Sequence, residues 1–270
     1  VGIADQLFLG ASLRKDNNDE FKNSYTHRIS AAYTPASSGT RIHGAYGTGV
    51  KNPGFTERFG FTPDTFIGNP DIKPEKSKGW EIGLSHALSR QLTINTTYFS
   101  EKLKDEINGF FFDPSLGGST AVNLQDKSSR RGIELSINAN LLNDLGIVAS
   151  YTHVKSRQPD STGKTTEVRV PRNTASLVAN WQLPDHRAKL NLNISSTDDQ
   201  FDNDFSSFPA SRVELKDYTL VNIAGDYQIN NWLTLQGRVE NLFDKNYQNI
   251  FGYETQGINA HISVKFQSTL

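Results

Sequence analysis

Apolar and polar residues alternate with a period of two over several parts of the chain. In the last of these, 258–266, Ile262 and Val264 lie on one face, and His261 and Lys265 lie on the other. The same alternation recurs at 132–141, 189–195, 219–227 and 233–240. Such alternation is typical of a β-strand whose two faces meet different environments. The pattern therefore predicts an all-β protein.

The spacing of these stretches predicts about 12 antiparallel strands. They lie near residues 3–14, 25–34, 40–49, 75–87, 91–112, 120–140, 145–157, 168–183, 187–200, 216–228, 231–247 and 256–266. Most of them are longer than the usual strand of a globular protein, which has about five or six residues. Long strands favour a membrane barrel over a soluble sandwich, which would also show the alternation.

The connections between these strands alternate in length. Short turns are predicted at Pro35–Gly39, Leu88–Arg90, Leu142–Leu145, Pro184–His186 and Asn230–Asn231. Long polar loops are predicted at Lys15–Ser24, Val50–Pro74, Asp113–Ser119, Gln158–Glu167, Phe201–Leu215 and Gln248–Thr255. Bacterial barrels have short turns on the periplasmic rim and long loops on the extracellular rim. The sequence therefore predicts an antiparallel up-and-down transmembrane β-barrel, with all the long loops on one side.

Hydropathy is consistent with such a barrel. The mean hydropathy is −0.53, and no segment approaches the roughly 18 apolar residues that a membrane helix needs. A barrel strand faces lipid with only every second residue. We therefore expect one set of side chains to face lipid and the alternate set to face the polar interior. The lipid-facing set includes Leu235, Ile258, Ile262 and Val264, and the interior set includes Arg238, Glu240, His261 and Lys265.

Composition excludes several classes of function. The chain has 270 residues, no cysteine and a net charge of −1, so neither thiolate chemistry nor a basic nucleic-acid surface is expected. Gly163-Lys164-Thr165 is not a phosphate-binding loop, because Gln158 stands where the motif needs glycine. The six histidines have no metal-ligand spacing, and no nucleophile elbow occurs. The sequence predicts a protein that is not an enzyme and has no resident cofactor.

An acidic cluster is the one candidate metal site. Its members are Asp198, Asp199, Asp202 and Asp204. Carboxylate oxygens at this density could bind calcium at an extracellular loop. A solvated loop, flanked by Asn203 and Ser206, is the alternative.

Four motifs in order resemble those of TonB-dependent receptors. They are Gly47–Pro53 (GTGVKNP), Gly68–Glu75 (GNPDIKPE), Arg131–Glu134 (RGIE) and Val239–Tyr247 (VENLFDKNY). The resemblance implies a receptor in the outer membrane of a Gram-negative bacterium, which binds a scarce nutrient and imports it with TonB. Whole members carry an N-terminal plug, a TonB box and about 22 strands. Residues 1–270 would then be the C-terminal part of the barrel, without the plug.

Three further segments resemble the cobalamin receptors of this family. They are Trp181–Leu183 (WQL), Phe205–Pro209 (FSSFP) and Ile250–Thr255 (IFGYET). The resemblance implies that Arg169 and Phe205 contact the corrin ligand. Phe205 replaces a tyrosine of those receptors, so an aromatic face is kept and a hydroxyl is lost.

Other receptors and other barrels remain alternatives. Ferric-siderophore receptors share the general motifs, so cobalamin and a siderophore are both candidate small-molecule ligands. A self-contained barrel of about 12 strands, such as an autotransporter translocator or a secretion phospholipase, and a soluble β-protein also stay open. The expected partners are TonB, the ligand and outer-membrane lipid, with no nucleic acid.

Overall fold

The computed structural model describes residues 2–3, 5–61, 65–142, 144–160, 163–207 and 210–267. Within these residues, nearly all regular structure is β, and one short helix, α1 (Phe55–Phe59), interrupts it. No helix among them is long and apolar enough to cross a membrane.

Most strands belong to one large sheet. Its strands are β1 (Gly2–Ile3), β2 (Leu7–Asp16), β3 (Ser24–Tyr33), β4 (Thr40–Lys51), β5 (Glu75–Ala87), β6 (Leu92–Lys104), β9 (Ser128–Leu141), β10 (Leu145–Asp160), β11 (Gly163–Thr165), β12 (Asn173–Gln182), β13 (Ala188–Thr197), β16 (Tyr218–Asn230), β17 (Leu233–Glu240) and β18 (Asn259–Phe266). Neighbours follow chain order, except that β11 pairs only with β10 and that two hairpins lie outside the sheet. These hairpins are β7 (Ile107–Asp113) with β8 (Gly118–Asn123), and β14 (Gln200–Asp204) with β15 (Ser211–Leu215).

The sheet is an up-and-down meander, as predicted. Within the described residues, and apart from the two-residue β1 and the three-residue β11, it contains twelve strands, and each predicted strand overlaps one of them. Short and long connections alternate between these strands. In an antiparallel meander, alternate connections belong to the same edge of the sheet. The fold class is therefore all-β, antiparallel and up-and-down.

Several predicted strand boundaries were wrong. The predicted strand 91–112 breaks at Asp105, which has a positive φ of 56°, and its second half is β7. The predicted strand 120–140 likewise includes most of the hairpin strand β8, and the predicted strand 187–200 includes the first residue of the hairpin strand β14. Strand 231–247 ends at Glu240, because Asn241 has a positive φ of 47°. Hairpin strands and sheet strands share the period of two, so alternation alone does not separate β7, β8 and β14 from the strands of the sheet.

The chain divides into two compact units. One comprises Val1–Gly83, Tyr98–Gly132 and Lys155–Thr166, and the other comprises Leu84–Thr97, Ile133–Val154 and Glu167–Leu270.

In the second unit, the strand register separates apolar from polar side chains. One row across five strands contains Ala179, Leu192, Ile223, Val239 and Ala260. The adjacent row, on the opposite face, contains Asn180, Asn191, Ala224, Arg238 and His261. Successive side chains of a strand point to opposite faces. The sheet therefore has one apolar and one polar face.

The predicted division of side chains between faces is confirmed for the last two strands. Leu235 pairs with Val264, and both lie on the apolar face together with Ile262, while Arg238 pairs with His261 on the polar face. Ile262 is 82% exposed. Ile258 lies before β18 begins.

The first unit has the same two-faced register. Ala11, Ile29 and Tyr46 form one cross-strand row, and Ile29 is exposed. On the other face, the Arg28 guanidinium lies 3.1 Å from the Glu81 carboxylate.

Buried apolar residues are few. Among the described residues, the buried hydrophobic side chains are Ala32, Phe66, Ile72, Leu103, Ala121, Ala139 and Leu215. A soluble domain of this size would bury a far larger core. The exposed apolar face instead suits a lipid environment.

Candidate functional site

Arg169 lies in the connection between β11 and β12, and it contacts the β14–β15 hairpin. Its backbone N–H donates to the carbonyl of Phe201 at 2.7 Å. Its side-chain Nε donates to Oδ1 of Asp202 at 2.9 Å. Arg169 has a positive φ of 59°, a conformation that is uncommon for residues other than glycine. Arg169 thus makes two hydrogen bonds to the hairpin while its backbone adopts an unfavourable conformation.

Asp202 is the most enclosed charged group of this region. It is fully buried, at 0% exposure, whereas the Arg169 side chain is 45% exposed. Its Oδ1 also accepts from the backbone N–H of Asn203 at 2.8 Å. Its Oδ2 accepts from the backbone N–H of Phe251 at 2.8 Å. We call Asp202, Arg169, Asn203 and Phe251 the Asp202 network.

The electrostatics of this network favour the ionised carboxylate. Burial raises the pKa of Asp202, and hydrogen bonds from the backbone N–H groups of Phe251 and Asn203 lower it. The hydrogen bond and the charge of Arg169 lower it further, so the pKa lies below its usual value. A carboxylate that accepts several N–H groups is stabilised in its charged form.

Phe205 follows the hairpin strand that carries Asp202. It is 67% exposed, so its ring is accessible to a ligand. Phe208 and Pro209 of the same predicted motif lie outside the described residues. The structure thus brings Arg169 against the hairpin on which Phe205 lies.

The segment after β17 is joined to the same hairpin. Gln200 Nε2 donates to the carbonyl of Asn249 at 3.3 Å, and the hydroxyl of Tyr218 donates to Asn249 Oδ1 at 2.5 Å. The ring centroids of Tyr218 and Tyr247 are 4.4 Å apart. In the same segment, Tyr253 is 70% exposed. Three connections of the chain, containing Arg169, Phe205 and Tyr253, therefore meet around the Asp202 network.

Three of the four candidate calcium ligands, Asp198, Asp202 and Asp204, have separate hydrogen-bond partners. Asp198 accepts from Asn173 Nδ2 at 2.6 Å, and Asp204 accepts from the backbone N–H of Ser206 at 2.8 Å. Asp202 belongs to the Asp202 network. In the part of the chain that the structure describes, no group of three or more His, Asp or Glu side chains is placed to hold a metal ion. Calcium at this loop stays a prediction.

The bend in the VENLFDKNY motif has a clear physical basis. Asn241, which is buried, donates from Nδ2 to the carbonyl of Lys245 at 3.0 Å and accepts from the backbone N–H of Lys245 at 2.8 Å. Asp244 Oδ1 accepts from the backbone N–H of Ile258 at 2.8 Å. A Cβ on Gly257 would also collide with this carboxylate. The motif therefore closes the loop between the last two strands.

The GNPDIKPE motif closes a loop in the first unit. Asn69 Nδ2 donates to the carbonyl of Ala121 at 2.9 Å, and Asn123 Nδ2 donates to the carbonyl of Lys73 at 2.9 Å. A Cβ on Gly68 would lie closer than 3.0 Å to the backbone of Arg58, so only glycine fits there. These bonds join the β4–β5 loop to the β7–β8 hairpin.

The sequence predicts ligand contacts for Arg169 and Phe205, which stay predictions, and it does not predict the role of Asp202 in joining the connections. In the sequence Asp202 is one member of an acidic cluster, because the partner residues lie 33 and 49 positions away. Nothing in the local sequence indicates such distant partners. The resemblance of Arg169, 205–209 and 250–255 to one group of receptors was the only signal that joined these segments.

Comparison with known proteins places the fold. At a TM-score of 0.80, the chain matches the siderophore receptor PirA from Acinetobacter baumannii, with 17% identity over 98% of this chain and 44% of that one. It matches the ferric enterobactin receptor PfeA from Pseudomonas aeruginosa in complex with enterobactin at a TM-score of 0.79, with 17% identity over 98% and 44% of the two chains. It matches the ferripyoverdine receptor of the Pseudomonas aeruginosa outer membrane at 0.75, with 18% identity over 98% and 37%.

The chain spans less than half the length of each of these receptors. At this identity the likeness concerns the fold alone. A family model provides the assignment: the model described as TonB dependent receptor-like, beta-barrel, matches residues 1–242. The chain therefore belongs to the TonB-dependent receptor-like β-barrel family.

Proposed function

We propose that this chain is the C-terminal barrel portion of an outer-membrane receptor that binds cobalamin and imports it with TonB. The barrel would carry no chemistry of its own. Its extracellular loops would bind the ligand, and its polar face would line the passage. The plug and the TonB box would belong to the part of the receptor that precedes this chain.

One observation carries the choice of ligand. Arg169, the FSSFP segment and the IFGYET segment each resemble cobalamin receptors, and they are far apart in the sequence. In the fold, residues from all three connections meet around Asp202. Segments that share one ligand would need this convergence.

The exposed groups have suitable chemistry for a corrin. The guanidinium of Arg169 uses Nε for Asp202, and its terminal NH2 groups make no hydrogen bond within the described residues. Guanidinium N–H groups can donate to the amide oxygens of a corrin. The exposed rings of Phe205 and Tyr253 could cover a flat ligand face.

The test uses Phe205, because its exposed ring has no hydrogen bond to lose. Cyanocobalamin binding to the purified full-length receptor in detergent would be measured by calorimetry. Phe205→Ala should weaken binding by at least about tenfold, as the loss of a central aromatic contact does. Phe205→Tyr should keep or improve it. Phe243→Ala, which removes an equally exposed ring at 73% exposure outside these segments, is the matched control.

The results separate the alternatives. Equal affinities for the parent, Phe205→Ala and Phe243→Ala would remove Phe205 from the site. No cobalamin binding by the parent receptor would overturn the choice of ligand.

A ferric siderophore is the second candidate ligand. The structures that the chain matches include a receptor in complex with enterobactin and a receptor bound to ferripyoverdine. An arginine and exposed aromatic rings also suit an anionic catecholate complex. A parent receptor that binds ferric enterobactin and not cyanocobalamin would support this candidate.

A further inference from the structure

We propose that Asp202 is a positioning residue that holds three extracellular connections together and orients the Arg169 side chain toward the ligand. The structural part of this proposal concerns the order of the loops alone. The effect on binding rests on the proposed function.

The carboxylate of Asp202 is shared among the three connections. Oδ1 accepts from Arg169, in the β11–β12 connection, and from Asn203 of its own hairpin. Oδ2 accepts from Phe251, in the connection between β17 and β18. The bonds from Arg169 and Phe251 join their two connections to the hairpin that carries Asp202, and the bond from Asn203 lies within that hairpin.

Burial makes these bonds hard to replace by water. Asp202 is fully buried, and its hairpin neighbours Gln200 and Leu215 are also buried. A buried charge is stable only if it is paired and hydrogen-bonded. Loss of one donor leaves the carboxylate unsatisfied, and loss of the carboxylate leaves several donors unsatisfied. The three connections should therefore open together when Asp202 is changed.

The bond to Arg169 also sets the direction of its guanidinium. Asp202 holds Nε, while the side chain remains 45% exposed. The backbone N–H of Arg169 is fixed by the carbonyl of Phe201 on the same hairpin. With its stem and backbone held, the outer edge of the guanidinium is presented to solvent at a fixed place. Pre-ordering of this kind reduces the entropy lost when a ligand binds.

Asp202→Asn is the most informative variant. It keeps the size of the side chain, but it removes the charge and places an NH2 group where one oxygen accepted. If Oδ1 continues to accept from Arg169 and Asn203, the new NH2 group faces the N–H of Phe251. Asp204→Asn is the matched control, because Asp204 lies two residues away on the same strand and bonds to nearby Ser206.

Hydrogen exchange in the full-length receptor measures the order of the loops without any ligand. Asp202→Asn should speed exchange at least about tenfold in 167–172, 200–207, 210–215 and 249–255, and Asp204→Asn should leave 249–255 unchanged. The barrel strands β16 and β17 should exchange as in the parent, which shows that the receptor has folded. Arg169→Gln, a second variant, should speed exchange mainly in 167–172 and in the hairpin. Parent-like exchange of 249–255 in Asp202→Asn would overturn the proposal.

Binding then tests the consequence for the ligand. Asp202→Asn should weaken cyanocobalamin binding by about tenfold, while Asp204→Asn binds like the parent. Faster exchange together with unchanged cobalamin affinity would overturn the positioning of Arg169 and leave the loop network standing. A parent receptor that binds no cobalamin would overturn the proposed function and leave the exchange result intact.

Discussion

The two-faced sheet predicts that one residue tolerates arginine and its neighbour does not. Leu192 and Asn193 are adjacent in β13 (Ala188–Thr197), on the apolar and the polar face. Two pairs mark the ends of the apolar face around Leu192. Ala188, four residues before it, pairs with Tyr227, and Ser196, four residues after it, bonds to Thr219 at 3.0 Å. At about 3.4 Å per residue and a tilt of about 40°, each end is about 10 Å away. Leu192 therefore lies near the middle of the apolar band.

Arginine at this depth faces lipid. Leu192→Arg should lower the free energy of unfolding from a bilayer by about 2–4 kcal/mol, because an outward charge at the midplane destabilises the folded barrel by that amount. Asn193→Arg should change it by less than about 1 kcal/mol, because the polar face tolerates charge. Folding of the full-length receptor into phospholipid vesicles would be titrated with urea and followed by heat-modifiable mobility on gels. Equal stability of the two variants would refute the assignment of the faces.

Three more results follow from the loops and strands. Gly68→Ala should lower the local free energy of opening of the β4–β5 loop by about 1–3 kcal/mol, since the added Cβ meets backbone, and hydrogen exchange of 52–61 would show it. Asn241→Ala should destabilise the β17–β18 connection by about 1–3 kcal/mol in urea titrations, whereas Asn246→Ala should not, because Asn246 is exposed. Asp202 has a folded pKa below its unfolded value of about 3.9, so its stabilising contribution is present above that pH and is lost as pH falls through the folded pKa. Protection of 249–255 should persist from pH 7 to 5, and its loss in that interval would contradict the assignment.

The strands were predictable because their two faces meet an apolar and a polar environment, which gives the sequence a period of two. Every long strand of the sheet needs apolar residues on one face and polar residues on the other, so the pattern in 258–266 marks β18 directly. The ends of strands were less predictable. Hairpins β7–β8 and β14–β15 share the period of two with the sheet, and turns at Asp105 and Asn241 depend on backbone conformations that alternation does not encode.

The prediction of the candidate site rests on resemblance alone. Arg169 and Phe205 came from matching short segments, whereas the bonds that join those segments depend on distant pairs such as Asp202 and Phe251. An acidic cluster in the sequence can indicate a metal site, but it indicates a solvated loop more often. The fold buries the carboxylate of Asp202 beside an arginine and leaves Asp204 half-buried at the start of a turn. Whether a carboxylate of this cluster is buried or solvated depends on partners that are distant in the sequence, and the local sequence does not indicate them.

Cobalamin uptake by living cells tests the central claim most directly. The full-length receptor would be expressed in a Gram-negative strain that lacks its own cobalamin receptor, with TonB either present or deleted. Uptake of labelled cyanocobalamin should be restored only when TonB is present, and Phe205→Ala should reduce it at a limiting cobalamin concentration. Uptake that persists without TonB, or no uptake by a receptor that reaches the outer membrane, would contradict the account.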